Sequence, residues 1–166
     1  MPRPILNIDE LEYFAMGHGE RFAARIGHIG AKIGAQKLGY NVTVVPPGKR
    51  AFPLHNHHVN EEMFFVLEGE GELRLRDERH PIRRGDVIAC PPGGPESGHQ
   101  IINTSESVEL KYLAVSTKTT PEIVEYPDAG TFGILAELGK DAEGKPRTLR
   151  YIGRENQGLD YWEGNE

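Results

Sequence analysis

The sequence predicts an all-β domain, a sandwich or barrel of short strands, and three observations carry that prediction. Twenty glycines and twelve prolines fall as punctuation between short apolar runs. The runs are strand-length and closely spaced, the spacing of a folded-over antiparallel sheet rather than of alternating strands and helices. No internal repeat is evident, so a duplicated two-barrel chain is not expected.

The elements follow in order. Residues 9–16 are the one stretch with helix signals, with Asp9 placed as N-cap and Glu12 at the capping-box position. Strands are expected over 21–29, 37–45, 51–57, 62–68 and 72–76, then over 86–90, 98–103, 108–116, 122–126 and 132–137. Many are separated by explicit turn sequences: Pro46-Pro47-Gly48, Gly69-Glu70-Gly71, Arg84-Gly85-Asp86, and Pro91 to Pro95 with two glycines between. The polar, glycine-rich tail 139–166 carries Tyr151, Tyr161 and Trp162, aromatics that would pack on the barrel or on a neighbouring subunit. The whole chain, 1–166, reads as one domain, its barrel core about 37–138, with an N-terminal extension 1–36 and the tail packing on it.

Composition narrows the function. Apolar residues make up 37%, charged residues 27%, and the net charge is −6. A mildly acidic, mixed-charge chain lacks the clustered basic face that nucleic acid requires. The one basic cluster, Arg74, Arg76, Arg79, Arg83 and Arg84, is interleaved with Glu72, Asp77, Glu78 and Asp86, as on a solvated hairpin. No apolar stretch approaches the roughly 18 residues of a membrane span. The first residues lack a signal-peptide core, and cytoplasm is the expected location. The single cysteine, Cys90, excludes an internal disulfide and ends an apolar run, so a buried, inert thiol is expected.

Chemistry concentrates in residues 48–69. His55 and His57, two apart, point the same way on an extended strand, and a carboxylate, Glu62, follows. His99 arrives after several more strands. Three imidazoles and a carboxylate form a donor set for one divalent transition ion: Fe, Mn, Zn or Ni. Alternation does not separate Glu61 from Glu62, since Met63 to Leu67 are all apolar, but Glu62 lies seven residues before Gly69. His58 faces away from His55 and His57 and is placed either behind the ligands or on the rim. His18, His28 and His80 are read as ordinary surface or capped histidines.

These residues resemble the two motifs of the cupin superfamily. The first reads Gly48, His55-x-His57, four residues, Glu62, six residues, Gly69, with one extra residue after Gly48. The second reads Gly85, five residues, Pro91-x-Gly93, then His99, three residues, Asn103, with three extra residues before His99. The resemblance implies a double-stranded β-helix, or jelly roll, with the metal inside the barrel mouth and a homodimer as the assembly. Its members include isomerases, dioxygenases, decarboxylases, lyases and simple binding proteins, so the fold does not choose the reaction.

Competing patterns fail. His55-Asn56-His57-His58 lacks the aspartate of a two-metal hydrolase loop, and Gly17-His18-Gly19 lacks the third glycine of a nucleotide cradle. Around the metal, Tyr40 and Tyr112 are the candidate proton relays, and Lys49 and Arg50 the candidate hooks for an anionic substrate. The function expected is isomerase-like or lyase-like chemistry on a small sugar, sugar phosphate or hydroxy acid. An Fe(II) dioxygenase and a non-catalytic metal or ligand-binding module are the alternatives.

Overall fold

A computed structural model describes residues 3–164. It contains thirteen strands: β1 (Phe14–His18), β2 (Phe22–His28), β3 (Leu38–Val45), β4 (Asn56–His57), β5 (Glu62–Glu68), β6 (Glu70–Leu75) and β7 (Glu78–Arg83). The remainder are β8 (Val87–Cys90), β9 (His99–Ile102), β10 (Leu110–Thr117), β11 (Glu122–Tyr126), β12 (Thr131–Lys140) and β13 (Pro146–Gly153). Among the described residues, helical structure is confined to four short 3-10 turns, and no helix is long and apolar enough to cross a membrane. The chain is all-β, and its strands form a jelly-roll barrel.

One wall is a six-stranded sheet in the order β1-β2-β3-β10-β5-β8. The other wall comes from two smaller sheets, β13-β12-β11-β4 and β7-β6-β9. They meet at a single antiparallel bridge, where His55 N donates to His99 O at 3.2 Å and His99 N to His55 O at 2.9 Å. Two of the sequence-predicted ligands thus sit opposite each other at the seam of this wall.

The core lies between the walls, with Val45, Phe64, Val66, Leu73, Leu110 and Tyr112 at its centre. A second apolar layer covers the outer face of the large sheet: Leu6, Ile8, Leu11 and Tyr13 of the N-terminal segment pack on Val42, Val44, Leu67 and Leu113. A sheet buried on both faces explains why Met63 to Leu67 is apolar without alternation. It also settles the choice between neighbouring carboxylates. Glu62 shares the inner face with the buried Phe64 and Val66, and Glu61 is exposed. Gly69 turns β5 into β6 at φ 83°, and the Glu109 backbone occupies the space a Cβ would need.

The structure differs from the sequence expectation at both ends. Of residues 9–16 only Asp9 and Glu10 are helical, in the short 3-10 turn Ile8–Glu10 that Asn7, not Asp9, caps, and Phe14 onward is a strand. Pairing along β2, from Phe14 opposite Ile26 to His18 opposite Phe22, outweighs the local capping signals. Residues 51–54 are irregular, so the expected strand 51–57 shrinks to β4. In the tail, β13 extends the second wall by pairing with β12, and Tyr151 packs on Phe132 at 6.0 Å between ring centroids. Tyr161 and Trp162 pack against each other and stay exposed.

Candidate metal centre

Four elements deliver the predicted ligands. His55 precedes β4, His57 ends it, Glu62 opens β5 and His99 opens β9. Asn56, fully buried between the two histidines, donates to Gly93 O and Glu125 Oε2, both at 3.0 Å, and so ties the first motif to the loop of the second. The three extra residues in that loop are absorbed by a 3-10 turn, Pro95–Ser97, which returns the chain to His99 in register.

All three imidazoles present Nε2 to one oxygen, Glu62 Oε2: His99 at 3.0 Å, His57 at 3.4 Å and His55 at 3.5 Å. The donor atoms of His55, Glu62 and His99 all lie within 4.8 Å of one another, and His57 adds its Nε2 on the same carboxylate. The far nitrogens explain the orientation. His55 Nδ1 donates to Pro53 O at 2.9 Å and His99 Nδ1 to Ser97 O at 3.4 Å. A carbonyl only accepts, so these rings carry hydrogen on Nδ1 and keep Nε2 for the shared point. Burial works against ionising Glu62, but the close approach of the His55, His57 and His99 imidazoles overcomes it and holds the carboxyl well below its ordinary range. Burial likewise opposes protonation of His57, and Glu62 and then Glu122 reverse the balance and raise it. A cluster of neutralisable nitrogens around an ionised carboxylate fits a divalent transition ion.

The cluster lines a cavity of about 240 Å³ inside the barrel mouth. Phe52, Phe64, Ile101 and Val124 supply apolar walls, and Asn41 and Tyr126 supply polar groups. Tyr126 is half-buried, its hydroxyl pushed upward by burial, with its ring 6.4 Å from that of His55. On the other side of His57 and Glu62 a cleft of about 380 Å³ opens between the end of β10 and the β12–β13 hairpin, with Lys118 and Arg150 on its walls.

The other predicted site residues are placed differently. Tyr112 reaches the cavity wall, but it is 2% exposed, and burial pushes its hydroxyl well above its ordinary value. It packs edge-on against Phe64 within the core. Tyr40 lies on the outer face of β3 in the second apolar layer, because alternation that turns Asn41 and Thr43 inward turns Tyr40 out. Lys49 donates to Glu20 O at 2.6 Å, away from the cavity. Arg50 is absent from the cavity wall as well. Its charged neighbours are Arg21, Arg74, Arg79 and Asp128, on the outside of the second wall. His58 pairs with Glu125 at 3.1 Å on the rim, as expected. Cys90 is buried opposite Glu62, and burial with the Glu62 charge pushes its thiol up to about 12, which leaves it inert. Tyr126 and Asn41 were missed. For Asn41 the inward parity of β3 was an available signal; for Tyr126, at the end of a short strand, there was none.

Comparison with known proteins agrees with this fold. The structure of a sugar phosphate isomerase from the cupin superfamily of Silicibacter pomeroyi superposes with a TM-score of 0.74 at 25% identity, covering 93% of this chain and 95% of that one. The oxalate-binding protein of Thermotoga maritima is 35% identical over 71 residues, 43% of this chain and 54% of that protein. Quercetin 2,3-dioxygenase of Bacillus subtilis is 34% identical over 84 residues, 49% of this chain and 25% of that enzyme. The chain thus spans about half or less of the curated relatives it matches. The family described as Cupin domain matches residues 41–116, from Asn41 in the cavity wall to the end of β10 and including both motifs. This stretch is a cupin domain.

Proposed function

We propose that this protein is a metal-dependent enzyme performing isomerase-like or lyase-like proton transfer on a small sugar, sugar phosphate or hydroxy acid. The observation that carries the reading is the convergence of three Nε2 atoms on one oxygen of Glu62, in a cavity open at the barrel mouth. His55, His57, Glu62 and His99 would hold the ion. When bound, a divalent ion supplies Lewis-acid polarisation of a carbonyl or hydroxyl.

The chain's own groups do the rest. A cavity of about 240 Å³ is smaller than a drug-sized site of about 300–1,000 Å³, so the ligand is compact. Asn41 Oδ1 accepts from Thr43 Oγ1 at 2.8 Å, which turns the amide nitrogen of Asn41 toward a ligand oxygen. Tyr126, kept protonated by burial, donates to an oxygen at the mouth. Phe52, Phe64 and Val124 exclude water around the reacting carbon. Likeness to the Silicibacter sugar phosphate isomerase over nearly the full length supports the substrate class. Likeness to a quercetin dioxygenase supports a second reading, oxygen chemistry with iron.

Elemental mass spectrometry of anaerobically purified protein, beside a His55→Ala/His57→Ala variant, tests both readings. Zinc, manganese or nickel lost in the variant, with turnover of sugars or hydroxy acids without oxygen, is the expected result. Iron together with oxygen uptake moves the assignment to the dioxygenase. Protein that holds no ion after loading with each metal overturns the metal reading. With a substrate in hand, Tyr126→Phe is expected to lower kcat about 100-fold or more, with metal content unchanged. An unchanged kcat removes Tyr126 from the chemistry.

A further inference from the structure

His57 is held differently from the other two histidines. His55 and His99 each place Nδ1 against the backbone carbonyl two residues earlier, Pro53 O and Ser97 O. The equivalent carbonyl for His57 is His55 O, and that oxygen already accepts from His99 N across the seam. His57 Nδ1 is buried with no hydrogen-bond partner, and the group facing it is Glu122 Oε2 at 3.6 Å.

Glu122 is itself unusual: a carboxylate 3% exposed, on β11, and heavily bonded. Its Oε1 accepts from Val59 N at 3.2 Å and Ile123 N at 3.0 Å. Its Oε2 accepts from Asn60 N at 2.9 Å and from the Asn60 side-chain amide. Val59 and Asn60 lie in the turn between two of the ligands, His57 and Glu62. One carboxylate therefore faces the far nitrogen of a ligand and fixes the connection to the next. A buried carboxylate is costly unless its charge is used, and four donors plus an imidazole account for this one.

Building on the metal reading above, we propose that Glu122 is a positioning residue that fixes His57 as an Nε2 ligand by accepting a hydrogen bond from its Nδ1–H. A shift of a few tenths of an ångström in the ring brings that contact within hydrogen-bond length. His57 is then the one imidazole of the three backed by a charge rather than a carbonyl, and so the strongest nitrogen donor of the set. The turn 59–61 and the ring are set by the same side chain, which couples the spacing of His57 and Glu62 to the orientation of His57.

The test is a double-mutant cycle on the full chain: wild type, Glu122→Gln, His57→Ala and the double variant. Zinc affinity is read by chelator competition, and the visible spectrum after cobalt(II) loading reports the ligand field. Glu122→Gln is expected to weaken zinc binding about 10- to 100-fold and to shift the cobalt band. In the His57→Ala background the same change is expected to have little effect, because the residue through which Glu122 acts is gone. Equal losses in both backgrounds, or an unchanged affinity and band, overturn the proposal and leave Glu122 as a brace for the turn. Wild-type protein that takes up no zinc or cobalt overturns the metal reading and this inference with it. Should Glu122→Gln not fold, Glu122→Asp keeps the charge but withdraws it by one methylene, and the same cycle is read with that variant.

Discussion

At one end of the barrel Asn103, fully buried, donates to Val45 O at 2.9 Å and Val108 O at 2.8 Å and accepts from Ser105 N at 3.0 Å. At the other end three imidazoles and a carboxylate, also largely shielded, aim their free atoms at one point rather than at the backbone. Strands β3, β5 and β10 run through both ends, from Val45 opposite Leu110 to Glu62 opposite Ser116. The difference lies in what the polar groups satisfy. The closed end meets its hydrogen-bond requirements internally and contributes stability. The open end leaves donors pre-oriented for something brought from outside, the usual mark of a binding site in a satisfied fold.

Substitutions at the two ends should therefore read out in different assays. The largest effect is expected at the open end: Glu62→Ala or His99→Ala should weaken metal retention at least about 100-fold, measured by elemental analysis after dialysis. Retention of the ion by either variant would remove the open end from metal binding. At the closed end, Asn103→Ala takes the side-chain donor from the buried Val45 carbonyl and the part-buried Val108 carbonyl and should cost about 1–3 kcal/mol in urea denaturation, with metal affinity unchanged.

pH separates the ends further in the metal-free protein. Glu62 is depressed below its ordinary 4.5, so its contribution is present above that value and is lost as pH falls. His57 is raised above its ordinary 6.5, so its contribution is present below 6.5 and is lost as pH rises through the folded value. Urea midpoints should peak between those two limits in the wild type. The profile of Glu62→Gln should be flatter, and that of Asn103→Ala should be shifted down with its shape kept. A peak that persists in Glu62→Gln would assign the pH dependence elsewhere. The smallest effect belongs to Tyr112→Phe, which removes one buried hydroxyl and should cost about 1 kcal/mol or less without changing metal binding or turnover. A large loss of turnover would return Tyr112 to the chemistry.

The open end was far more legible in the sequence than its surroundings. The candidate ligands stand out because metal chemistry would restrict both residue type and strand parity. Strands such as β5 and β11 were visible from their apolar runs and bounding turns. Strand β7 was not, because Pro81 interrupts it and Ile82 is its one buried residue. Strand β13 is exposed along almost its whole length, so it carries no core pattern to detect. Arg50 and Tyr40 were misplaced for one reason. Closeness in sequence to His55 or to a neighbouring strand does not say which face of the wall a side chain takes, and the apolar layer laid on the outer face by residues 6–13 was invisible beforehand. Glu122, more than sixty residues from His57 along the chain, had no local signal at all.

The backbone bridge between His55 and His99 has a dynamic consequence. Those two hydrogen bonds join the halves of the second wall, and the side chains of the same residues meet on Glu62 of the first. Filling the site would clamp three segments at once, so amide hydrogen exchange at His55 and His99 should slow more than at Asn103 on loading. The site would then act as a latch, with local opening of the mouth and release of its contents as one motion.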